Sequence, residues 1–297
     1  MESKLFNIRC DNCGAEYRIN SRGEMNCPFC GSKVYLNDKD FEEYLNAREE
    51  MLIKDKNDND FANDLGDVRH KWNNELQVFL DAENGKTVNL KYFYRFDREN
   101  KTVYVSRNKV SILYDNPNDC DRAIENFKNL EYPSSDIEKL SKGFPTILAI
   151  VNLKDNKKLL VLDKVENIYP LAIFNKLDPK NVAWIISRME NTGCILQFNS
   201  LDFTNLTVYD IYINPKTHHV FFLDGWETVV PSSTTTSYLK ALRQIAKEQT
   251  ILGRAPKKYI DFLEGAPARS AYDDFYAWDD VIMNGFNGHN FFPFTED

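Results

Sequence analysis

The residue types that could do chemistry in this 297-residue chain are six cysteines and a short run of carboxylates. Four of the cysteines form two pairs, Cys10-x-x-Cys13 and Cys27-x-x-Cys30. Four thiolates at this spacing predict a closed tetrahedral zinc site, which is structural because no coordination position is left for water. Gly14 and Gly31 follow the pairs directly, where a left-handed backbone is convenient. The competing reading is two redox pairs or free thiols. A segment this small has almost no core, so the metal would supply most of its folding free energy. Cys120 and Cys194 stand alone with no evident base and predict buried thiols. Asp202, Asp210 and Asp224, with the amide Asn205 among them, fall in one stretch, Gly193 to Glu227.

That stretch reads as the end of an amphipathic helix, an irregular loop, a strand Ile211–Asn214, a turn over Pro215–Lys216–Thr217–His218 and a second strand Val220–Leu223. The second strand stops on Asp224–Gly225–Trp226. His218 and His219 sit at the turn; neighbouring side chains on a strand point to opposite faces, so turn histidines are expected and not paired ligands.

Hydrophobic residues make up 42% of the chain and aromatic residues 13%, enough for a packed core. No apolar run approaches the roughly 20 residues of a membrane span, and MESKLFNIRC carries no signal-peptide core. A cytoplasmic protein with no membrane partner is expected. The net charge of −8 argues against a general nucleic-acid binder.

In order, residues 1–36 read as a zinc ribbon, with two short polar strands and a turn near Ser21–Gly23 between the cysteine pairs. Residues 37–66 are an acidic helix and linker. Phe41, Tyr44, Leu45, Arg48, Met51 and Leu52 keep helical spacing behind Asp38 or Asp40 as a cap, and a solvated spacer follows around Asp55–Asp64. Residues 67–162 are strand-rich. Leu76–Leu80, Val88–Phe96 and Thr102–Arg107 are separated by turns at Asn84–Gly85 and Asp97–Asn100. A helical stretch, Asp119–Leu130, follows, then strands Thr146–Leu153 and Lys158–Leu162 around a turn at Asp155–Asn156. Residues 163–297 turn helical. A connector Asp163–Glu166 and a short helix Leu171–Lys176 lead to Asp178–Pro179, which opens a long helix through Phe198, with Asp as cap and Pro in the first turn. Ser232–Thr236 reads as a polar loop. Helices are expected over Tyr238–Gln249 and Ala271–Met283. Trp184 and Trp226 are expected in the core, and the aromatic tail Phe291, Phe292, Phe294 is expected to dock back on the domain.

The run LDPKNVAWIISRMENTGCIL, then DIYINPKTHHVFFLDGW, and the final FFPF resemble a family of shortened, divergent protein-kinase-like proteins of bacteria and their phages. The resemblance covers about residues 90–297 and rests on order and spacing more than identity. It implies an α+β, protein-kinase-like bilobal fold, with a strand-rich N-lobe (67–162) and a helical C-lobe (163–297). The N-terminal zinc ribbon is an addition to that plan.

The same resemblance assigns positions in the site. In the kinase pattern a catalytic Asp lies five residues before a metal-binding Asn, and a second metal-binding Asp follows the next hairpin. Asp224 matches the second Asp and Asp210 matches the Asn. Five residues before Asp210 stands Asn205, an amide that cannot take a hydroxyl proton at neutral pH. Asp202 is the alternative base. Asp210 and Asp224 would offer Mg²⁺ or Mn²⁺ two hard oxygen donors; the bland alternative is a loop cap and a turn residue. No Gly-x-Gly-x-x-Gly is present to cover phosphates. Arg107 and Lys109 are the candidate phosphate cations, and Glu125 lies two residues past the position of the expected helix glutamate, held here by Ala123. Three readings follow. The first is a pseudokinase-type binding or regulatory protein whose ribbon docks a protein partner. The second is an active atypical ATP-dependent kinase using Mg²⁺ or Mn²⁺. The third is a nucleic-acid-associated adaptor acting through the ribbon, which requires Arg9, Arg18, Arg22 and Lys33 to share a face.

Overall fold

The computed structural model describes residues 68–134, 139–290 and 292–295, together with four short strands before them. Those strands form two antiparallel hairpins: β1 (Asn7–Arg9) with β2 (Glu16–Arg18), and β3 (Gly23–Asn26) with β4 (Lys33–Leu36). Each cysteine pair falls between the two strands of a hairpin. The four cysteines themselves, and the helix expected over Phe41–Leu52, lie outside the described residues.

The strand-rich half is built on two sheets. A hairpin, β5 (Leu76–Asp81) and β6 (Thr87–Tyr92), turns at Gly85, whose φ of 78° suits glycine. Then come β7 (Tyr94–Arg98), β8 (Lys101–Val105), β9 (Lys109–Tyr114), helix α1 (Pro117–Lys128), β10 (Ile147–Leu153) and β11 (Lys157–Asp163). These five strands make one antiparallel sheet in the order β10-β11-β9-β8-β7. Three strands were expected ahead of the helix in this half; five precede it, β5 to β9, and two follow it as expected. The element bounds differ in three ways. The apolar run Val88–Phe96 is divided at Phe93 between the two sheets. The strand expected over Thr102–Arg107 ends at Val105. Strand β9 was not anticipated. It is buried on both faces, with Val110, Ile112 and Tyr114 facing one core cluster and Leu113 facing another beneath the β5–β6 hairpin. A strand covered on both sides loses the polar alternation by which strands are read.

The helical half follows a short pairing of β12 (Tyr169–Pro170) with β14 (Ile211–Asn214). A single 3₁₀ turn, Leu171–Ile173, stands where a short helix was expected. Helix α2 (Pro179–Phe198) starts as the sequence predicts: Asp178 Oδ1 accepts from Lys180 N at 2.9 Å, and Pro179 fills the first position. Val182, Ile185, Ile186, Met189 and Ile195 are buried along it. Next come β13 (Leu201–Phe203), β14, β15 (His219–Phe222) and β16 (Val229–Pro231), then α3 (Thr236–Gln249), α4 (Lys257–Glu264) and α5 (Ala271–Gly285). Helix α4 was not anticipated. It is a two-turn segment packed against α3 and α5, too short to show its period in the sequence. The expected polar loop is tied down in part: Thr235 is buried and Ser232 N donates to Ser200 O at 2.8 Å.

Phe294 is buried with its ring 5.4 Å from Phe174, so this part of the aromatic tail does dock back. Trp226 is buried, and its Nε1 donates to Phe222 O at 2.8 Å. Trp184 is only partly buried and stacks on His218 at 4.4 Å, at the hairpin turn where His218 has φ 54°. Burial, helped by the Arg188 charge, lowers His218 to about 4, a neutral turn histidine. Burial pushes the Cys120 and Cys194 thiols up to about 12, which keeps them inert. Among the described residues no helix is long and apolar enough to cross a membrane.

Candidate functional site

The β7–β8 turn and the loops after β13 and β15 enclose a cleft of about 570 Å³, lined in part by Arg98, Lys101, Asn205, Asp210, Gly225 and Glu227. Register fixes what the sheet presents to it. Arg98 pairs with Lys101 and Lys101 with Tyr114, so the three lie in one row across β7, β8 and β9. Lys101, Val103 and Val105 alternate onto the buried face of β8, which puts a lysine among apolar neighbours.

Lys101 is buried against two carboxylates. Its Nζ donates to Asp224 Oδ1 at 2.6 Å and to a Glu227 carboxylate oxygen. Burial works against its charge, but Asp224, Glu227 and Asp210 outweigh that and hold its pKa above the usual lysine value. Glu227 also lies 3.3 Å from the Tyr114 hydroxyl. Helix α1 braces the segment carrying Glu227: Asn126 Nδ2 donates to Trp226 O at 2.8 Å and Val229 O at 3.0 Å, and Arg122 Nε to Glu227 O at 2.7 Å. The glutamate partner of the buried lysine therefore comes from the Asp224–Gly225–Trp226–Glu227 segment. Glu125, on α1, is exposed.

Asp210 and Asp224 are each 1% exposed. Asp210 Oδ2 accepts from Thr207 N and Oγ1, both at 2.7 Å, and its Oδ1 lies 3.5 Å from Arg98 Nη1. Asp210 Oδ1 and Asp224 Oδ2 accept no hydrogen bond among the described residues. Burial first, and the Asp224 charge second, raise Asp210 to about 6 against the pull of Lys101 and Arg98. The same two causes raise Glu227. Gly225 makes the close approach feasible. It has φ 84°, and a Cβ there would lie 3.0 Å from Asp210 Cγ. Two buried carboxylates with orphaned oxygens suit a divalent cation that takes its remaining ligands from water or phosphate. Among the described residues no three His, Cys, Asp or Glu side chains converge as a complete metal site.

Asp210 and Asn205 line this cleft, Asp224 stands behind it joined to Lys101, and three other candidates lie elsewhere. Asp202 is buried on β13 with both oxygens engaged: Oδ2 accepts from Ser237 N at 2.9 Å and Oδ1 from Tyr238 N at 2.8 Å. It caps α3 and does not line the cleft. Arg107 and Lys109 lie at the far end of the sheet, around the β8–β9 turn. Arg107 is paired with Glu166 at 3.0 Å, Lys109 is exposed, and neither lines the cleft. The cation among the carboxylates is Lys101, which sequence reasoning passed over; its signal is a lysine in phase with Val103 and Val105.

Asp202→Asn puts an amide NH₂ where one of two backbone N–H donors needs an acceptor. It is expected to cost about 1–3 kcal/mol of stability in urea unfolding while leaving cation binding by the cleft unchanged. A loss of cation affinity with stability intact would contradict the capping role.

No family model matches the chain, and no curated protein matches it either. Solved structures do. Vaccinia related kinase 3 is 14% identical over 73% of this chain and 79% of its own, with a TM-score of 0.43. The BubR1 kinase domain is 9% identical over 69% of this chain and 82% of its own, with a TM-score of 0.48. The Cydia pomonella granulovirus kinase PK-1 is 14% identical over 65% of this chain and 91% of its own, with a TM-score of 0.37. At these scores the likenesses carry no argument beyond the chain's own order of elements: five strands, a helix, two strands, a long helix, and the β14–β15 hairpin followed by Asp224.

Proposed function

We propose that the chain is a pseudokinase-type binding module, whose kinase-like cleft holds a divalent cation on Asp210 and Asp224 and performs no phosphotransfer. The observation that carries this reading is the engagement of Asp202. Both its oxygens hold the start of α3, so the aspartate three residues before the expected base position is taken, and Asn205 in the cleft cannot accept a proton. A bound Mg²⁺ or Mn²⁺ would neutralise phosphate charge there. Lys101, already held against Asp224 and Glu227, would fix the orientation of the Asp224 carboxylate.

The active-kinase reading rests on the same retained Asp210, Asp224 and Lys101, and differs in requiring proton transfer. The zinc-loaded protein, incubated with γ-labelled ATP and Mn²⁺, is expected to give neither autophosphorylation nor ATP hydrolysis above buffer. Turnover lost in Asp224→Asn would overturn the pseudokinase reading. Mn²⁺ titration followed by electron paramagnetic resonance is expected to show one site in the wild type and none in Asp224→Asn. Because Asp210 titrates near 6, protons compete with the metal as pH falls through that value, and Mn²⁺ affinity is expected to drop below about pH 6. Docking of a protein partner through the ribbon remains part of this proposal and draws on the cysteine spacing. The nucleic-acid adaptor reading is tested by the salt dependence of binding.

A further inference from the structure

The underside of the five-stranded sheet is a series of rows fixed by register. The first is Arg98, Lys101 and Tyr114, the second Phe96, Val103 and Ile112, and the third Tyr94, Val105 and Val110. The first row faces Asp210, Asp224 and Glu227. Each row is two residues, about 7 Å, from the next along the strands. Below the sheet, strand β14 runs away from Asp210 and pairs through Tyr212 and Ile213 with Pro170 and Tyr169. The space between sheet and floor thus has a charged end at the first row and an apolar end at the third. A nucleoside triphosphate with its phosphates at the charged end would extend its base toward the apolar end.

That end is occupied by the chain itself. Trp72, just before the β5–β6 hairpin, is 4% exposed and lies between sheet and floor. Its ring stacks on Tyr169 at 4.7 Å and 21°, and meets Phe93 at 5.4 Å and Tyr94 at 5.6 Å. Lys164 Nζ stands 4.8 Å over the same ring. The Tyr94 hydroxyl donates to Lys71 O and so holds the segment in place. An indole stacked on an aromatic ring under an aromatic roof occupies the kind of slot a nucleobase would need. Its own Nε1–H has no acceptor among the described residues, so ring contacts hold it. The open cleft, by contrast, is lined by first-row residues with Asn205, Asp210, Glu227 and Arg122, and by neither Trp72 nor Tyr169.

We infer that Trp72 stands in for a nucleobase, so that the open cleft takes a divalent cation with a base-free condensed phosphate in preference to a nucleotide. The inference rests on the cation site proposed above. Arg98 and Arg122 line the cleft with positive charge, Asp210 lines it as a metal ligand, and Asp224, held by Lys101, offers beside it an Oδ2 unpartnered among the described residues. A nucleotide must either displace the indole or leave its own base in water.

The test uses the full zinc-loaded chain with saturating Mn²⁺ and compares inorganic tripolyphosphate with ATP by calorimetry. The wild type is expected to bind tripolyphosphate at least tenfold more tightly than ATP. Trp72→Ala is expected to tighten ATP binding at least tenfold and leave tripolyphosphate within about threefold. Trp72→Leu, which keeps an apolar side chain in the slot, serves if the alanine variant fails to fold; it should shift ATP in the same direction. Equal or tighter binding of ATP by the wild type would overturn the inference. So would a tripolyphosphate preference that survives both substitutions. In both cases the cation site would stand, whereas failure of Mn²⁺ alone to bind the wild type would remove the cation site and this inference together.

Discussion

Lys101→Met is expected to destabilise the protein by about 3–5 kcal/mol, the largest loss of any single change in the cleft. The lysine is buried between Asp224 and Glu227, with Asp210 close enough to contribute to its charge balance. Removing it leaves three carboxylates, Asp210 and Asp224 buried, at the wall of the cleft with Arg98 at 3.5 Å from Asp210 as the remaining ion-pair partner among the described residues. The penalty is that of uncompensated buried charge, not of one lost hydrogen bond. Two controls separate these. Lys101→Met with Glu227→Gln should regain a large part of the loss, because neutralising one acid lowers the repulsion the lysine had balanced. Added Mn²⁺ should stabilise Lys101→Met more than it stabilises the wild type, since the vacated position sits among acidic oxygens. Urea unfolding at pH 7 with and without Mn²⁺ reads all three. A loss below about 1 kcal/mol for the single variant would mean that Lys101 is solvated in a way its burial denies.

How far the sequence reached can be judged from this same lysine. Part of the order of elements was legible because it depends on local pattern. Asp178–Pro179 announces α2 through a cap and a first-turn proline, and Ile211–Asn214 is a strand with the bounds read from its alternation. Asp210 and Asp224 were legible because they flank a recognisable hairpin. The partner of Asp224 was not. Candidate cations were sought near the expected end of the third strand, which gave Arg107 and Lys109. The chain runs through β5 and β6 before the main sheet begins, and β9 lacks polar alternation because both its faces are covered. Once the strands are placed, register carries Lys101 over Asp224 and leaves Arg107 on Glu166. Register is a long-range property, and a one-residue change of phase reverses which face a side chain occupies. The capping role of Asp202 is hidden for a similar reason, since its partners Ser237 and Tyr238 stand more than thirty residues downstream. The stacking of Trp72 on Tyr169 spans nearly a hundred residues and leaves no local trace.

Glu190→Gln is expected to make the protein more stable at neutral and alkaline pH. Glu190 lies on α2, fully buried, and neither of its oxygens accepts a hydrogen bond among the described residues. Burial first, and the charge of Asp274 on α5 second, push it up to about 9, against the opposing charge of Arg243 on α3. Arg243 is already committed to Asp274 at 2.5 Å. At neutral pH the folded protein therefore holds Glu190 protonated, able to donate toward Asp274, whose Oδ2 is also unpartnered. The unfolded chain releases that proton above about 4.5, the ordinary glutamate value. A folded pKa raised above the unfolded one gives stability that is complete below pH 4.5 and declines as pH rises toward 9, by up to about 1.4 kcal/mol per pH unit. Glutamine resembles the protonated acid in shape and as a donor, and it has no proton to lose. The two proteins should be within about 1 kcal/mol of each other near pH 5, and the variant should lead by on the order of 3 kcal/mol at pH 8. Urea midpoints measured from pH 5 to pH 9 decide it. Parallel stability curves for the two proteins across that window would show that Glu190 is ionised in the fold, and that its surroundings supply a counter-charge beyond Arg243.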